Sequence, residues 1–378
     1  MTTGDWQGLK VSAEGDLMPP EEITRLLHGS WVSRIIKTAV ELELFQQLRD
    51  EARTAQAVAD ALKFPVKGVE MMLDSLVGMG LLLRHDLERS GSLESAAVRA
   101  GRSGGAGRAP SVPVYKLSSL AGTYLLKESP LFMGMYLKQH EELDKMWRGL
   151  KDTVSTGKPV MEVNQEERAS EIFPHLAESI VPLNYAIAVD ALQFVKQRLA
   201  LADRSGSSLR VLDVAAGSAV WSIPFAQDNA GTRVTAIDFE PVLAVTAKIT
   251  ERFQVREQYE DLPGNWRQVN LPEQTYDVAI LGHILHSEGK VLSLELLRYC
   301  ARALRPGGVL VIAEFFTNKE RTAPLHPLMF GLNMYLATTD GCVFSQEEMT
   351  ELCMEAGYSK VVRHSAAAYL SPLLFAVK

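Results

Sequence analysis

Two histidines and a glutamate are the residues of this chain best suited to proton transfer. His283 and His286 stand three residues apart in the segment GHILHSE, and Glu314 ends a later apolar run at 309–313. A neutral imidazole can take a proton from a hydroxyl group as that group attacks an electrophile. We therefore predict that His286 is a general base, that Glu314 orients its imidazole, and that His283 lines a ligand.

A metal site is the rival interpretation of the histidine pair. Protein zinc sites use three or four His, Cys or acidic ligands, commonly at short spacings. No third such residue stands at ligand spacing beside His283 and His286, and Cys300, Cys342 and Cys353 show no metal spacing. The sequence therefore predicts no metal, and a histidine buried only for packing stays as the other alternative.

A second group of residues could hold a cofactor. In LRVLDVAAGSAV, at 209–220, Asp213 ends an apolar run and five small residues follow, before a helical segment begins near Trp221. Small residues let a ligand approach the backbone, and a helix start offers free N–H groups. Strand, small turn and helix form the nucleotide-type corner of an α/β fold. A buried turn without a ligand would also favour small residues.

Acidic and amide residues further along the chain favour a nucleoside. Asp238 ends the next apolar run, 25 residues after Asp213, where it could accept hydrogen bonds from two ribose hydroxyls or cap a helix. In Gly264-Asn265-Trp266, the amide could pair with an adenine edge while the indole covers the ring. Gly282 would permit close approach of the chain to the ligand. Because the chain has no G-x-G-x-x-G and no Walker lysine, we predict an adenosine cofactor without a phosphate.

Alternating strands and helices from residue 209 onward must position these groups. Apolar strand-like runs at 209–214, 233–237, 276–281 and 309–314 predict a parallel sheet with helices on both faces. The helix before the last of these runs would bury Val291, Leu294, Leu297, Ala301 and Leu304 on one face. A helix at 344–356, capped by Ser345 and stopped by Gly357, and an edge strand pair at 358–364 and 370–377 complete the chain.

The first part of the chain predicts a winged helix-turn-helix. Helical patterns at 23–48, 54–62 and 65–77 precede strands at 81–83 and 114–117, and a further helix starts at 118. A DNA-reading helix needs positive charge, whereas the third helix carries Lys67 against Glu70 and Asp74 and has no arginine. We therefore expect the module to pack against another subunit, and a non-enzymatic regulatory protein is the alternative.

Two further segments differ in composition from the rest of the chain, one of low complexity and one of helical pattern. Residues 86–112, rich in Ser, Gly, Ala and Arg, predict a mobile loop at the turn of the wing, although its four arginines could meet an acidic partner. Residues 130–200 are mostly helical in pattern. Their Met and aromatic stripe predicts core packing, and Met146-Trp147 or Tyr185 could face a pocket between the domains.

Composition sets the broad class. The 378 residues predict two domains, and the net charge of −7 provides no global attraction to nucleic acid or anionic membranes. No apolar run approaches the roughly 18 residues of a membrane span, and the polar residues 1–19 lack the apolar core of a signal peptide. Three cysteines cannot all pair, which fits a reducing compartment. These features predict a cytoplasmic protein.

Taken in order, these motifs resemble the S-adenosylmethionine-dependent small-molecule O-methyltransferases that carry an N-terminal winged-helix dimerisation domain. This family includes hydroxyindole, plant phenolic and antibiotic-tailoring enzymes. The residues that carry the resemblance span nearly the whole chain: the helices at 23–48, Tyr115-Lys116-Leu117-Ser118, the glycine motif at 211–219, Asp238, Gly264-Asn265-Trp266, Ile284-Leu285-His286 and Leu304-Arg305-Pro306-Gly307-Gly308.

The resemblance implies a fold, a cofactor and a set of site residues. It implies a Rossmann-like seven-stranded α/β domain at 201–378, a dimerisation domain at 1–125 and a helical connector at 126–200 that contributes to the substrate pocket. S-adenosylmethionine would be held by Asp213, Ala215, Gly217, Asp238, Phe239, Asn265, Trp266, Gly282 and His283. His286 and Glu314 would be catalytic, and Trp147, Met329, Asn333, Met334 and Tyr335 would line the acceptor. The expected product is a methylated hydroxyl on an apolar or aromatic metabolite, made by a homodimer.

The chain departs from the family pattern at several positions. Ala215, Ala216 and Ala219 replace glycines, Asn265 replaces an aspartate, and Ser287-Glu288 replaces Asp-Trp after the histidine. Val343 stands where plant members carry an acid beside the histidine. These departures keep open a second prediction, transfer to carbon or nitrogen or a non-methylating use of the cofactor.

Overall fold

The chain forms two compact units, Met1–Phe132 and Met133–Lys378. The computed structural model describes residues 20–88, 111–163, 166–198, 208–364 and 371–378. The predicted polar start at 1–19 and most of the predicted insertion at 86–112 therefore lie outside the described residues. The helices assigned from sequence to a connector at 126–200 belong, from Met133 onward, to the second unit.

The first unit contains five α-helices, a short 3-10 helix (Gln46–Leu48) and a strand pair among its described residues. The α-helices and strands are α1 (Glu21–Leu27), α2 (Gly29–Glu41), α3 (Ala55–Leu62), α4 (Val66–Gly78), β1 (Leu82–Glu88), β2 (Ser111–Leu117) and α5 (Ser119–Tyr124). β1 and β2 pair antiparallel with Leu82 opposite Leu117, which confirms the predicted wing. The helical pattern at 23–48 is not one helix, because it breaks at His28 and α2 ends at Glu41.

The third helix of the wing motif is tied to the wing itself. Asp74 on α4 accepts hydrogen bonds from Arg84 at 3.0 Å and from the hydroxyl of Tyr115 at 2.7 Å. Burial and the neighbouring Asp74 raise the pKa of Tyr115 to about 12, so its hydroxyl stays a donor. This carboxylate is therefore engaged inside the unit.

The second unit opens with four helices and continues into an α/β domain. The helices are α6 (Gly134–Trp147), α7 (Leu150–Thr156), α8 (Glu166–Ser179) and α9 (Val181–Arg198). The remaining elements are β3 (Arg210–Val214), α10 (Ile223–Asp228), β4 (Arg233–Asp238), α11 (Glu240–Arg252), β5 (Tyr259–Pro263), β6 (Tyr276–Gly282), α12 (Leu285–Ala303), β7 (Leu304–Ala313), β8 (Phe316–Thr317), α13 (Leu325–Ala337), β9 (Phe344–Ser345), α14 (Gln346–Glu355), β10 (Lys360–His364) and β11 (Leu373–Val377).

A seven-stranded sheet organises the second unit in the order β10-β11-β7-β6-β3-β4-β5. β7, β6, β3, β4 and β5 run parallel, while β11 is antiparallel to both of its neighbours. Successive residues of a strand point to opposite faces, so Val211 packs in one core layer and Leu212 in the other. β3 is the first strand of the sheet in chain order. β4 and β5 are added on one side of it and β6 and β7 on the other, so the strand order reverses between β3 and β6. Open α/β sheets bind ligands at such a reversal.

The end of the chain largely follows its sequence pattern. Ser345 caps α14, because its Oγ accepts the backbone N–H of Glu348 at 3.1 Å and the Glu348 carboxylate accepts the Ser345 N–H at 2.7 Å. Gly357 follows the helix with a φ of 96°. In the predicted edge pair, β10 is the edge strand and β11 lies between β10 and β7. The predicted start of the last strand at Leu370 lies outside the described residues.

One predicted helix face is wrong in part. α12 is kinked at Gly289, whose φ is 70° and ψ is 178°, and Val291 just beyond the kink is 74% exposed. Leu297 and Ala301 are buried as predicted, whereas Leu304 begins β7. A Cβ at position 289 would lie 2.5 Å from the carbonyl oxygen of Asp340, so the kink requires glycine.

One bent helix pair in the described part of the chain has the length and composition of a membrane span. Among the described residues, no single helix has both the length and the apolar character of a membrane span, and the segments Ser170–Ser179 and Val181–Gln197 meet those criteria only together, across a 68° bend.

Candidate active site

The turn after β3 runs through three left-handed residues. Ala215, Gly217 and Ala219 have φ values of 55°, 57° and 60°. Glycine adopts this conformation readily, whereas alanine is strained in it. The chain accepts that strain at two positions, Ala215 and Ala219.

Neighbouring elements hold this turn in place. The hydroxyl of Thr246 on α11 donates to the carbonyl of Gly217 at 2.6 Å, and the N–H of Ala216 donates to Ile237 at the end of β4 at 3.1 Å. A Cβ added to Gly217 would lie 3.6 Å from the Cβ of Ala177 on α8. The turn is therefore packed on both sides at the carboxyl edge of the sheet.

Asp238 links β4 to the turn. Its two carboxylate oxygens accept the backbone N–H groups of Gly217 at 2.9 Å and Phe239 at 2.8 Å. Burial raises its pKa to about 6, against the opposing effect of these hydrogen bonds. Phe239, not Asp238, is the N-cap residue of α11, so the structure does not support the capping alternative. Each oxygen keeps a free lone pair for a further donor.

Asp213 supports the turn from inside, which differs from its predicted contact with the cofactor. Its carboxylate is 1% exposed and accepts a hydrogen bond from the hydroxyl of Ser222 at 2.5 Å. That hydroxyl also lies 3.0 Å from the hydroxyl of Tyr259. Burial raises the pKa of Asp213 to about 7.

Position 282 requires glycine because the indole of Trp221 packs directly against its backbone. A Cβ at position 282 would lie 2.2 Å from Cδ1 of Trp221, whose indole is buried. The close approach predicted for a ligand at this glycine is therefore made by an indole in the core.

Asn265 and Trp266 are also more engaged than the sequence predicts. The side-chain oxygen of Asn265 accepts the N–H of Arg267 at 3.1 Å. Trp266 is 8% exposed, its ring lies 5.7 Å from that of Tyr299, and its Nε1 is buried with no hydrogen-bond partner among the described residues. The indole is therefore a core residue, not a free ring face.

The predicted catalytic pair is in contact. Nδ1 of His286 lies 2.7 Å from Oε2 of Glu314, and the backbone N–H of His286 donates to Oε1 at 3.2 Å. Burial alone would raise the pKa of Glu314, but His286 and His283 outweigh it and hold that pKa well below the ordinary value. An ionised carboxylate at Nδ1 favours the tautomer that leaves Nε2 free to accept a proton.

His283 lies beside this pair. Its backbone is left-handed, with a φ of 62°, and its Nε2 lies 3.0 Å from the hydroxyl of Ser371. Its Nδ1 is 3.8 Å from Oε2 of Glu314 and has no hydrogen-bond partner among the described residues. The structure thus brings all three proton-transfer candidates together.

Three aromatic side chains beside the histidines were not predicted. The ring of Phe315 lies 4.4 Å from that of His283, and the ring of Phe330 meets His286 edge-on at 4.8 Å. His326 lies 4.8 Å from Phe315, and burial lowers its pKa, which favours the neutral ring. The i, i+4 spacing of His326 and Phe330 on α13 was the signal that could have found them.

The predicted acceptor residues do not share one surface. Trp147 donates from Nε1 to the side-chain oxygen of Asn333 at 3.0 Å, so these two are joined. Met329 and Tyr335 are 44% and 36% exposed, while Met334 is buried. On α13 the 3.6-residue period places His326, Met329, Phe330 and Asn333 on one face and Tyr335 on the opposite side.

The three side chains suggested for a pocket between the domains, those of Met146, Trp147 and Tyr185, each contact residues of the second unit. Met146 packs with Leu336 and Ala337, and the hydroxyl of Tyr185 lies 2.8 Å from the side-chain oxygen of Gln227.

The carboxyl edge fits an adenosine cofactor. The side chains of the left-handed turn are small, Asp238 retains acceptor capacity, and the hydroxyl of Ser218 inside the turn is buried with no hydrogen-bond partner among the described residues. Buried polar atoms are rarely left unsatisfied, so a polar ligand at the turn would account for Ser218.

Comparison with known families gives two matches along the chain. Residues 147–359, more than half of the sequence, match the O-methyltransferase domain. Residues 24–126 match the O-methyltransferase dimerisation domain.

Individual relatives cover almost the whole chain at low identity. Acetylserotonin O-methyltransferase of Gallus gallus is 25% identical, over 94% of this chain and 96% of its own length. The 3-hydroxy-5-methyl-1-naphthoate 3-O-methyltransferase of Streptomyces sahachiroi is 22% identical, over 90% of each chain. The human N-acetylserotonin methyltransferase, solved in complex with S-adenosylmethionine, shares the fold with a TM-score of 0.71 at 20% identity, over 96% of this chain and 99% of its own.

Proposed function

Since the chain belongs to the O-methyltransferase family, which uses S-adenosylmethionine, we propose that it methylates a hydroxyl group of an apolar or aromatic small molecule with His286 as general base. The observation that carries this proposal is the contact of 2.7 Å between Nδ1 of His286 and the buried carboxylate of Glu314. It lies at the carboxyl edge of the sheet, next to the strand switch where ligands bind.

The chain's own residues would do three things in this reaction. S-adenosylmethionine, when bound, supplies a methyl group made electrophilic by its sulfonium. Asp238, Ala215 and Gly217 would hold the cofactor at the turn, with Phe239 beside them on the strand end. His286 would take the hydroxyl proton on Nε2, and Glu314 would stabilise the resulting imidazolium.

The aromatic rings around His286 support a flat, apolar acceptor. Phe315 and Phe330 lie 4.5 Å apart, and both rings pack near His286. Ring faces and edges at such distances bind aromatic groups favourably. Two of the relatives are named for acetylserotonin and a hydroxynaphthoate, both aromatic hydroxyl compounds, which supports the same acceptor class.

One observation favours a second candidate function. Val343 is buried, and its methyl group would lie 3.2 Å from a Cβ at Gly331 on α13, so this position offers an apolar contact and no second carboxylate. An acceptor carbon or nitrogen needs less help from a base than a hydroxyl does. The alternative is therefore methyl transfer to carbon or nitrogen on the same scaffold.

We also propose a homodimer in a reducing compartment, the cytoplasm. The match to a dimerisation domain supports the first statement. All three cysteines are free, which supports the second.

A panel of acceptors tests the proposed reaction. The protein is incubated with S-adenosylmethionine carrying a labelled methyl group and with phenols, naphthols and hydroxyindoles, each paired with its O-methylated counterpart as control. We expect label on the oxygen of at least one free hydroxyl compound and none on its methylated control. Label on a ring carbon or an amine, shown by fragmentation mass spectrometry, would contradict O-methylation and support the alternative.

A further inference from the structure

We propose that His283, His286 and Glu314 form a binding site for a divalent cation of borderline softness, Zn²⁺ in the first place, with one ligand atom from each residue. The sequence predicted no metal here because no third ligand follows the histidines. The third ligand comes instead from the end of the adjacent strand, β7.

The three ligand atoms already converge. One ligand atom of each residue lies within 4.8 Å of the other two. Oε2 of Glu314 is 2.7 Å from Nδ1 of His286 and 3.8 Å from Nδ1 of His283. Zn–N and Zn–O bonds are about 2.0–2.2 Å long, so two ligands of one tetrahedral ion lie roughly 3.3 Å apart. The observed separations bracket that value, and small side-chain rotations would reach it.

His283 provides the independent observation that points to a ligand. Its Nδ1 is buried and has no hydrogen-bond partner among the described residues. The hydroxyl of Ser371, 3.0 Å from Nε2, occupies the other ring nitrogen. Metal-bound histidines in proteins are oriented in this way by a partner on the second nitrogen. A cation between the two imidazoles would satisfy this Nδ1 atom, which has no partner in the described part of the chain.

The ligand set selects the kind of cation. Two imidazoles and one carboxylate suit Zn²⁺, Co²⁺ or Ni²⁺, whereas Mg²⁺ and Ca²⁺ prefer oxygen ligands throughout. Three protein ligands would leave a fourth position for water.

Metal binding and base catalysis would exclude each other, a consequence that rests on the proposed function. A cation on Nδ1 of His286 takes the place of the hydrogen that Glu314 accepts there. That hydrogen moves to Nε2, so the imidazole stays neutral but has no lone pair left for a substrate proton. We therefore expect Zn²⁺ to inhibit methyl transfer and a chelator to restore it.

Binding of the metal alone tests the site without any methyl transfer. Calorimetry with Zn²⁺ and visible absorption with Co²⁺ should show one ion per chain, and Mg²⁺ should not compete. His283→Gln should weaken Zn²⁺ binding by at least about tenfold, and Ser371→Ala by about 10–100-fold, the usual effect of removing a second-sphere partner. His140→Gln is the matched control, because His140 is a half-exposed histidine on α6 that faces Asp144, and it should leave the affinity unchanged.

Two results would overturn the proposal. One is the absence of the Co²⁺ spectrum and of Zn²⁺ heat in the wild-type protein, which requires no variant to fold. The other is equal weakening by His140→Gln and His283→Gln, with thermal melting showing that both variants are folded. If one ion binds but methyl transfer is unaffected, the site stands and the base role of His286 fails.

Discussion

Glu314 makes two contacts with a single residue, the backbone N–H and the ring Nδ1 of His286. The pair is buried, so its hydrogen bonds are stronger than they would be in water. A carboxylate in this position fixes both the orientation and the tautomer of the imidazole. The proposed base role of His286 therefore depends on Glu314, although Glu314 need not touch the acceptor.

Glu314→Gln should slow methyl transfer sharply. An amide can donate as well as accept, so it no longer enforces the tautomer with a free Nε2. The rate should therefore fall, at most by the factor of about 10²–10⁴ that a general base contributes. The measurement is kcat with a saturating acceptor, alongside the affinity for S-adenosylhomocysteine, which should not change.

A double variant distinguishes a shared role from two separate roles. When two residues act as a unit, removing either one removes the rate enhancement that they provide together. The double variant Glu314→Gln, His286→Ala should therefore be no slower than His286→Ala alone. Losses that multiply would show that Glu314 acts independently of His286.

Asp238 should make cofactor affinity depend on pH. Because burial raises its pKa to about 6, the carboxylate is ionised above that pH and becomes protonated below it. Protonation removes acceptor capacity for ribose hydroxyls, so the affinity for S-adenosylhomocysteine should fall as the pH drops below about 6. Calorimetry across this range checks the prediction.

The control for this titration is Asp238→Asn, which keeps the shape of the side chain but cannot ionise. It should bind weakly and show little change in affinity over the same range. A wild-type affinity that is flat through pH 6 would mean that Asp238 does not hold the cofactor.

At the scale of elements, the turn between β3 and α10 combines tight geometry with unfavourable residues. A left-handed residue other than glycine costs about 1–2 kcal/mol. Ala215 is half-buried, whereas Ala219 is fully buried in the core, so removing the methyl of Ala219 would also lose packing. Ala215 is therefore the position where strain can be measured most cleanly.

Ala215→Gly should stabilise the protein by about 1 kcal/mol, because glycine adopts the φ of 55° without strain. For a unit of this size that corresponds to a rise in Tm of roughly 2–4 °C. The neighbouring Ala216→Gly is the control. Ala216 is not left-handed and is buried, so its replacement relieves no strain, loses some packing and should lower stability by at least roughly 0.5–1 kcal/mol. A lower Tm for Ala215→Gly would contradict the strain argument.

Elements were predictable where a local rule decided them. The cap at Ser345 and the strands ending at Val214 and Asp238 follow from side-chain chemistry and period. The kink of α12 was not visible, because Gly289 is required by the distant carbonyl of Asp340. On α13, Met329 and Asn333 were predicted but His326 and Phe330 were missed, since the apolar pattern of the helix alone does not show which residues meet His286.

At the scale of the whole molecule, the first unit carries an apolar surface on α1 and α2. Large side chains that are more than half exposed lie close together there: Ile23, Leu26, Leu27 and Trp31. Exposed apolar patches of this kind mark protein interfaces. The match to a dimerisation domain over residues 24–126 supports a second copy of the chain as the partner.

Leu27→Lys should therefore convert the dimer to a monomer. Leu27 is 71% exposed, so the substitution is tolerated by the isolated unit but places a charge in the proposed interface. Sedimentation velocity measures the effect. Leu120→Lys, at a 55% exposed position on α5 of the same unit, is the control and should remain dimeric. If Leu120→Lys dissociates the dimer and Leu27→Lys does not, the interface lies on α5 and not on α1 and α2.

The meeting of Asp238, His286 and Glu314 at one edge follows from the alternating pattern, since parallel strands share their carboxyl edge. The order of the seven strands and the strand β5 at Tyr259–Pro263 were not predicted from that pattern. What the sequence could not show is how side chains fill the space behind that edge. Trp221 against Gly282 and Trp266 against Tyr299 are long-range packing contacts, and each occupies a position assigned from sequence to the cofactor.

The most direct test of the account is the rate of a single methyl transfer by His286→Ala, measured with the affinity of the same variant for S-adenosylhomocysteine. We predict a fall in rate of about 10²–10⁴-fold with an unchanged affinity, because the imidazole removes the acceptor proton and does not hold the cofactor. A fall of less than about tenfold would contradict the role of His286 as the base.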